Sequence, residues 1–249
     1  MVRIVLTPDW FLGFDVLIEL FSFVVLAIFS VLSIRNYRLN KNKKNFLYIG
    51  IGFGLIALAQ LATILTKTVL YYDFSVIRQV GNAIVTSNFV SSVDIFYHIG
   101  FFFYRFLTLA GFYMIYRLHN KRTYLGESLL FGYFILLSAL LSTDMYYLFH
   151  LTCLGILMLI IRNYYVIYKK NRFLNTKILL IVFGILALGQ ILFIFPNGAL
   201  QATANIVELI SYGLLLFLAV KIRENDTKKK SNGDNIRHAG GNHAKRRKH

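Results

Sequence analysis

Residues 11–34 read FLGFDVLIELFSFVVLAIFSVLSI, an apolar run whose only charged residues are Asp15 and Glu19. A helix needs about 20 mostly apolar residues to cross the roughly 30 Å hydrocarbon core of a bilayer. This stretch meets that requirement, and it is too long and too acidic for the apolar region of a cleaved signal peptide. We therefore expect it to be the first of several membrane-spanning helices.

Six further apolar stretches follow, and the chain as a whole is 57% hydrophobic, against roughly 45–50% in soluble domains. The predicted spans cover residues 11–34, 46–65, 93–116, 125–141, 145–161, 178–195 and 202–221. The fourth and fifth are short and nearly adjacent, so we expect a tight hairpin there, and a count of six spans stays open. The longest predicted loop covers residues 66–92. The sequence predicts an all-α integral membrane fold, a seven-transmembrane helix bundle over residues 1–223.

Basic residues give the chain a formal net charge of +16, and they cluster in alternate loops. The clusters are Arg35, Arg38, Lys41, Lys43 and Lys44; Arg117, Lys121 and Arg122; Arg162, Lys169, Lys170, Arg172 and Lys177; and Lys221 and Arg223. The remaining loops hold little beyond Arg3, Lys67 and Arg78. Because loops rich in lysine and arginine stay in the cytoplasm, we expect a multi-pass protein of the cell membrane, N-terminus out and C-terminus in.

Two segments recur along the chain. Ile-Arg-Asn-Tyr at residues 34–37 is repeated at 161–164, and FGLIALAQ at 53–60 resembles FGILALGQ at 183–190. The paired segments run in the same direction, which favours a parallel duplication of three helices joined by a linker helix, a 3+1+3 arrangement known among transporters. The glycines and alanines in these segments are also the small residues that membrane helices need at close contacts.

Polar side chains interrupt six of the spans at a similar depth, one to several turns from the predicted outer ends. They are Asp15 and Glu19 in the first span, Gln60 in the second, Asp94, His98 and Arg105 in the third, His150 in the fifth, Gln190 in the sixth and Glu208 in the seventh. Ionisable groups cost roughly 2.5–3.5 kcal/mol at the centre of a bilayer and normally face the bundle interior. We expect an outward-facing polar cavity, or a buried hydrogen-bonded layer beneath it.

The polar residues allow a functional and a structural interpretation. In the first, they bind a ligand or ion, with Arg105 balanced by Glu19, Asp15 or Glu208. In the second, they form a salt-bridge network that fixes the helix register and binds nothing. The spacing of His98 and His150 favours neither haem nor a metal, so we predict no cofactor and no metal site.

Two known seven-helix classes fit poorly. A retinal protein needs a lysine in the middle of its last span, where this chain has none before Lys221. Sugar transporters with 3+1+3 architecture carry a Pro-Gln signature, whereas Gln60 and Gln190 follow other residues.

The run Leu-Thr-Pro-Asp-Trp-Phe at residues 6–11, followed by Asp15 and Glu19, resembles small uncharacterised seven-helix archaeal membrane proteins. The bundle is loosely similar to the seven-helix sensor regions of histidine kinases. The resemblance implies the helix count and a sensory role, and it assigns no active residue.

Residues 224–249 are polar, basic and low in complexity, so we expect a disordered cytoplasmic tail. Its basic clusters are Lys228, Lys229 and Lys230, and Lys245, Arg246, Arg247 and Lys248. Such clusters attract anionic lipid headgroups by about 1 kcal/mol per residue. The tail has no aromatic residues for base stacking, so nucleic-acid binding is not expected.

No catalytic constellation is visible, which favours a non-enzymatic protein. We expect a receptor-like or sensory module that signals through a cytoplasmic partner. The alternative is a small-solute transporter, and a scaffold protein stays open. Because the inner halves of the spans hold few polar residues, the sensor is the first hypothesis.

Overall fold

The computed structural model describes the backbone of residues 8–11, 13–39, 41, 44–79, 87–118, 125–142 and 145–245, without the side chains of 9, 70–79, 87–95, 125 and 222–245. A short 3-10 helix at Asp9–Phe11 precedes the α-helices of this part of the chain. They are α1 (Phe14–Leu39), α2 (Lys44–Gln79), α3 (Ser87–Arg117), α4 (Leu125–Leu141), α5 (Tyr146–Asn171), α6 (Leu174–Ile194) and α7 (Gly198–Lys245). These residues contain no strand, which confirms the all-helical prediction.

Six helices of the described chain are long and apolar enough to cross a membrane. Their candidate spans are Phe14–Leu39, Lys44–Val69, Phe96–Arg117, Tyr146–Asn171, Leu174–Ile194 and Gly198–Lys221. Outward-facing leucines such as Leu58, 52% exposed, and Leu188, 58% exposed, suit contact with lipid rather than water. The chain is therefore a polytopic helical membrane protein. Helix α4 has 17 residues, about 26 Å at 1.5 Å per residue, so its crossing of the bilayer stays a prediction.

Most helices extend beyond the hydropathy-based boundaries, and α2 and α7 extend the furthest. Helix α2 continues to Gln79 and α3 begins at Ser87, so the prediction of a loop over 66–92 is wrong for most of its length. Helix α7 continues to Lys245, where a disordered tail was predicted from residue 224. A helix that is already nucleated in the membrane lengthens through polar residues without a new nucleation cost, and hydropathy does not register this. The tail residues proposed to bind lipid headgroups, 228–230 and 245–248, lie outside the described side chains.

The helices pack as a closed ring in the order α1, α2, α3, α5, α6, α7 and back to α1. Helix α4 lies outside the ring against α3 and α5. These ring contacts are unchanged when α1 is exchanged with α5, α2 with α6, and α3 with α7. A ring with this property is what two similar three-helix halves produce when they pack face to face.

The repeated segments occupy matching environments in the two halves. Residues 51–60 and 181–190 have the same pattern of buried, half-buried and exposed side chains at every position. The equivalent rings of Phe53 and Phe183 stack on each other, with centroids 6.4 Å apart and planes 13° apart. Both phenylalanines belong to the apolar core, so the halves meet through the same residue of the repeated segment.

Glycines allow α2 and α3 to approach each other closely. A Cβ at Gly111 would lie 2.7 Å from the carbonyl oxygen of Gly52, and one at Gly52 would lie 3.0 Å from that of Gly111. Ile56 and Ile115 cover the two glycines from the facing helix. Small residues allow membrane helices to approach this closely and gain dispersion energy without a hydrophobic driving force.

Basic side chains collect at one end of the ring, here called the basic end. Arg35 and Arg38 lie in the last turns of α1, Lys44 begins α2, and Arg117 ends α3. Lys169, Lys170, Lys177 and Lys221 lie at the same end of α5, α6 and the apolar part of α7. This separation of charge agrees with the predicted loop pattern.

Candidate functional site

A buried polar layer lies toward the end of the bundle opposite the basic end. Its members are buried or half-buried and come from five helices: Asp15 and Glu19 on α1, Gln60 and Lys67 on α2, His150 on α5, Gln190 on α6, and Glu208 and Tyr212 on α7. Ionisable groups in hydrocarbon are tolerated when they pair with one another or line a site. The contacts within the layer show how this pairing is achieved.

Lys67 joins two carboxylates in a buried ionic triad. Its Nζ lies 2.8 Å from Asp15 Oδ2 and 2.5 Å from Glu19 Oε1. Asp15 is fully buried and Glu19 is 9% exposed. Asp15 and Glu19 are four residues apart and therefore share one face of α1, so a single ammonium group reaches both.

The backbone before α1 fixes one member of the triad. Gly13 has a φ of +92°, which glycine adopts without the penalty paid by other residues. In this conformation its N–H donates to Asp15 Oδ1 at 3.1 Å. The carboxylate of Asp15 is thus held by a backbone donor on one side and by Lys67 on the other.

The sequence-based pairing of the carboxylates with Arg105 is wrong. Lys67, assigned from hydropathy to an outer loop, is their partner, whereas Arg105 forms no salt bridge with any described residue. Helical spacing contained the missing signal. Gln60, Thr63 and Lys67 lie three and four residues apart, which places them on one face of a helix, and continuing that helix past Leu65 brings Lys67 to the carboxylates.

One oxygen of the triad has no partner among the residues that the structure describes. Glu19 Oε2 is buried and accepts no hydrogen bond from any described residue. A buried carboxylate oxygen without a donor is unfavourable. The triad is therefore incompletely satisfied at this oxygen of Glu19.

A second set of contacts crosses α5, α6 and α7. The Nδ1–H of His150 donates to Gln190 Oε1 at 2.8 Å, and Gln190 Nε2 donates to Glu208 Oε1 at 3.0 Å. The direction of both bonds is assigned from this network. Gln190 uses its acceptor on one neighbour and its donor on the other, so it couples a histidine to a carboxylate.

Aromatic rings enclose His150. The imidazole lies edge-to-face with Tyr146 at 4.9 Å and with Phe149 at 5.0 Å, and it stacks on Phe193 at 5.1 Å. The Tyr146 hydroxyl donates to the carbonyl oxygen of Phe193 and accepts from Gln201 Nε2 at 3.0 Å. The histidine thus has a dry setting with Gln190 as its polar contact.

Replacing Gln190 by leucine is expected to destabilise the protein by about 1–3 kcal/mol, because it leaves His150 and Glu208 without their shared partner. Unfolding in detergent, followed by circular dichroism, measures the loss. Gln190→Glu keeps an acceptor for His150 but places a second carboxylate beside Glu208, so it is expected to be no better than leucine. A Gln190→Leu protein as stable as the wild type would contradict the coupling.

The two glutamines of the repeat both contact α7. Gln60 hydrogen-bonds the Tyr212 hydroxyl, and Gln190 bonds Glu208. Tyr212 and Glu208 are four residues apart and share a face of α7. Equivalent glutamines from α2 and α6 therefore reach successive turns of one helix.

The remaining predicted site residues do not join these contacts. His98 on α3 is exposed, with its ring against Tyr97. Arg105 lies close enough to His150 for its charge to act on the ring. The side chain of Asp94 lies outside the described residues. The structure thus brings together Asp15, Glu19, Gln60, His150, Gln190 and Glu208, and adds Lys67 and Tyr212.

The cavity of about 340 Å³ found in the described part of the chain is not the polar one expected from the sequence. It lies between α4 and α5, and its lining includes Phe131, Phe134, Leu141 and Ile156. The polar side chains contact one another instead, so the hydrogen-bonded layer, the second sequence-based alternative, describes them. Paired polar groups avoid the cost of facing lipid unsatisfied, and the outward-facing polar cavity stays a prediction.

Among the described residues, no three of His, Cys, Asp and Glu form a group able to hold a metal ion in the usual geometry. Cys153 is buried and free. No family model, curated protein or solved structure matches the chain.

Proposed function

We propose that the chain is a receptor-like or sensory membrane module that detects a ligand at the polar layer and signals through a partner at its basic end. In this proposal the basic end lies in the cytoplasm, because basic loops are retained there. The protein then sits in the cell membrane with its N-terminus outside, and its cytoplasmic end contacts anionic headgroups and the partner.

The proposal rests on the difference between the part of each helix near the polar layer and the part near the basic end. The polar layer crowds the half away from the basic end, whereas the half toward the basic end contains fully buried apolar side chains such as Ile115, Ile160 and Leu218. Buried hydroxyls there are used internally, since Ser30 Oγ donates to the carbonyl of Gly50 at 2.7 Å and Ser211 Oγ to that of Val182 at 3.0 Å. A transported solute needs polar groups along its whole path, whereas a sensor needs them at one end.

A small-solute transporter of 3+1+3 architecture is the second candidate. The observation that favours it is the equivalence of the two halves, expressed in the exchangeable ring contacts and in the stack of Phe53 on Phe183. Transporters built from such repeats work by rocking one half against the other. The same motion, without an open path, would serve a sensor.

Labels at the basic end test the sensor. The variant Lys44→Cys with Lys177→Cys places two exposed labelling sites on α2 and α6, while Cys153 is fully buried. In nanodiscs, pulsed electron spin resonance is expected to show a distance change of about 1–2 Å, the scale of helix shifts in switching proteins, with one member of a panel of amino acids, sugars and monovalent cations. An unchanged distance with every compound contradicts the sensor.

Flux of the same panel into proteoliposomes separates the two candidates. The sensor is expected to give no uptake above empty liposomes. Saturable uptake that is lost in Lys67→Met and kept in Lys177→Met would overturn the sensor in favour of the transporter.

A further inference from the structure

The cavity between α4 and α5 opens on the outer surface of the bundle. Its volume is about 340 Å³, and two of the residues that line it, Phe134 and Leu141, are 53% and 44% exposed. Its wall on α5 belongs to the candidate membrane span Tyr146–Asn171. Because the outer surface of a spanning helix meets lipid rather than water, an occupant enters this cavity from the hydrocarbon of the bilayer.

The walls of the cavity are apolar apart from two hydroxyls, those of Ser138 and Thr152. Ser138 Oγ donates to Thr152 Oγ1 at 2.9 Å, and Thr152 Oγ1 donates to the carbonyl oxygen of Leu148 at 2.8 Å. Both hydroxyl protons are thus used within the protein, whereas a buried water needs several polar partners. A cavity of about 150 Å³ lined by leucine, isoleucine and phenylalanine stays dry and binds benzene. The larger cavity described here therefore suits an apolar ligand.

The length of the cavity matches the depth of one leaflet. Its lining runs from Phe131 to Leu141 on α4 and from Leu148 to Ile156 on α5. The α4 part covers about 15 Å at 1.5 Å per residue, which is half of the roughly 30 Å hydrocarbon core. Leu148 lies in the first turn of α5, at the end remote from the basic end. The cavity therefore extends from that membrane surface toward the middle of the bilayer.

Contacts at two levels attach α4 to its neighbours without closing the cavity. Near the start of α4, the ring of Phe131 stacks on Tyr113 of α3 at 5.1 Å, and the Tyr113 hydroxyl donates to Ser128 Oγ at 3.1 Å. Further along, Ser138 bonds Thr152 on α5. Protein interiors hold few voids larger than a water molecule, and the lining of a void loses dispersion contacts. An apolar occupant therefore stabilises the packing of α4 against α5.

We propose that this cavity binds one hydrocarbon chain of a membrane lipid from the leaflet opposite the basic end. The chain enters beside Leu141 and Leu148, and its methyl end lies toward Phe131 and Ile156. A slot one leaflet deep suits such a chain, whereas a side chain from a second copy of the protein would fill only part of it. The site is separate from the polar layer and does not depend on the sensory function.

Photolabelling tests the site. The full chain is placed in nanodiscs of phosphatidylcholine, a small share of which carries a diazirine at the end of one acyl chain, and the labelled residues are mapped by mass spectrometry after irradiation. Ile156 lines the cavity and is 5% exposed, so lipid outside the cavity barely reaches it, whereas Leu151 on the same helix is 52% exposed and reports that outer lipid. Label is expected at both residues.

Two matched tryptophan variants separate the cavity from the outer surface. Leu137→Trp adds volume to the lining and leaves no room for a chain in a close-packed site, so the label at Ile156 is expected to fall at least about tenfold while that at Leu151 is kept. Leu136→Trp makes the same change one residue earlier, where the side chain is 43% exposed and outside the lining, and is expected to label like the wild type. Circular dichroism checks the folding of each variant, and Leu148→Trp fills the cavity from α5 if Leu137→Trp does not fold.

A folded wild type labelled at Leu151 and not at Ile156 would overturn the proposal. Label at Ile156 that is as strong in a folded cavity-filling variant as in the wild type would also overturn it. A second copy of the chain in the cavity would exclude the label from Ile156 and would appear as a dimer in native mass spectrometry, which would equally contradict a lipid site.

Discussion

Replacing Lys67 by methionine is expected to lower the free energy of unfolding by about 3–5 kcal/mol, the usual cost of removing one partner from a buried ion pair. Methionine matches the length of lysine, so the packing is largely kept and the charge is what disappears. Asp15 and Glu19 would then face each other, buried and four residues apart on α1. Loss of helical signal on titration with a denaturing detergent measures the change.

Lys177→Met is the matched control, because Lys177 is exposed near the start of α6 and exposed charges contribute about 0–1 kcal/mol. The triple variant Asp15→Asn, Glu19→Gln, Lys67→Met removes all three charges and is expected to recover most of the lost stability. A Lys67→Met protein as stable as Lys177→Met would show that the triad contributes no stability.

Gly111→Leu is expected to destabilise the bundle by about 3 kcal/mol, at the upper end of the usual cost of overpacking. The added side chain would meet the backbone oxygen of Gly52, 2.7 Å from the position of its Cβ, and backbone moves only by separating α2 from α3. The thermal unfolding midpoint in detergent reports the effect.

Gly132→Leu on α4 is the control for the second substitution, because a Cβ there meets nothing within 4 Å. Leucine is a better helix former than glycine by up to about 1 kcal/mol, so this variant is expected to be neutral or slightly more stable. Equal midpoints for the two variants would mean that α2 and α3 are not held in contact by their glycines.

Hydropathy predicted the helix boundaries well where the helix ends together with its apolar stretch. Helix α4 begins and ends at the predicted residues, 125 and 141, because polar residues flank its apolar stretch in the sequence, at 119–123 and at 142–144. The predicted length of α2 was too short, because its last turns carry Lys67 and other polar residues that lower the hydropathy without ending the helix. Apolar length therefore locates the membrane core better than it locates helix ends.

The sequence predicted most of the residues in the candidate site, but it did not predict which of them contact each other. Asp15, Glu19, Gln190 and Glu208 were expected to converge, because ionisable groups in a membrane normally face the bundle interior and pair with one another. The partner of the carboxylates was missed, because the predicted span ended at residue 65 and left Lys67 in a loop, whereas α2 continues to Gln79. Which face of α3 turns inward was equally undetermined, and His98 proved to be exposed.

The position of α4 outside the ring has a consequence for the continuity of the polypeptide. Every interface that closes the ring is made by α1–α3 and α5–α7. The segment that links the two sets of helices keeps them on one chain but contributes no contact to the ring. Two co-expressed fragments, cut in the connection after α3, should therefore assemble into the same ring.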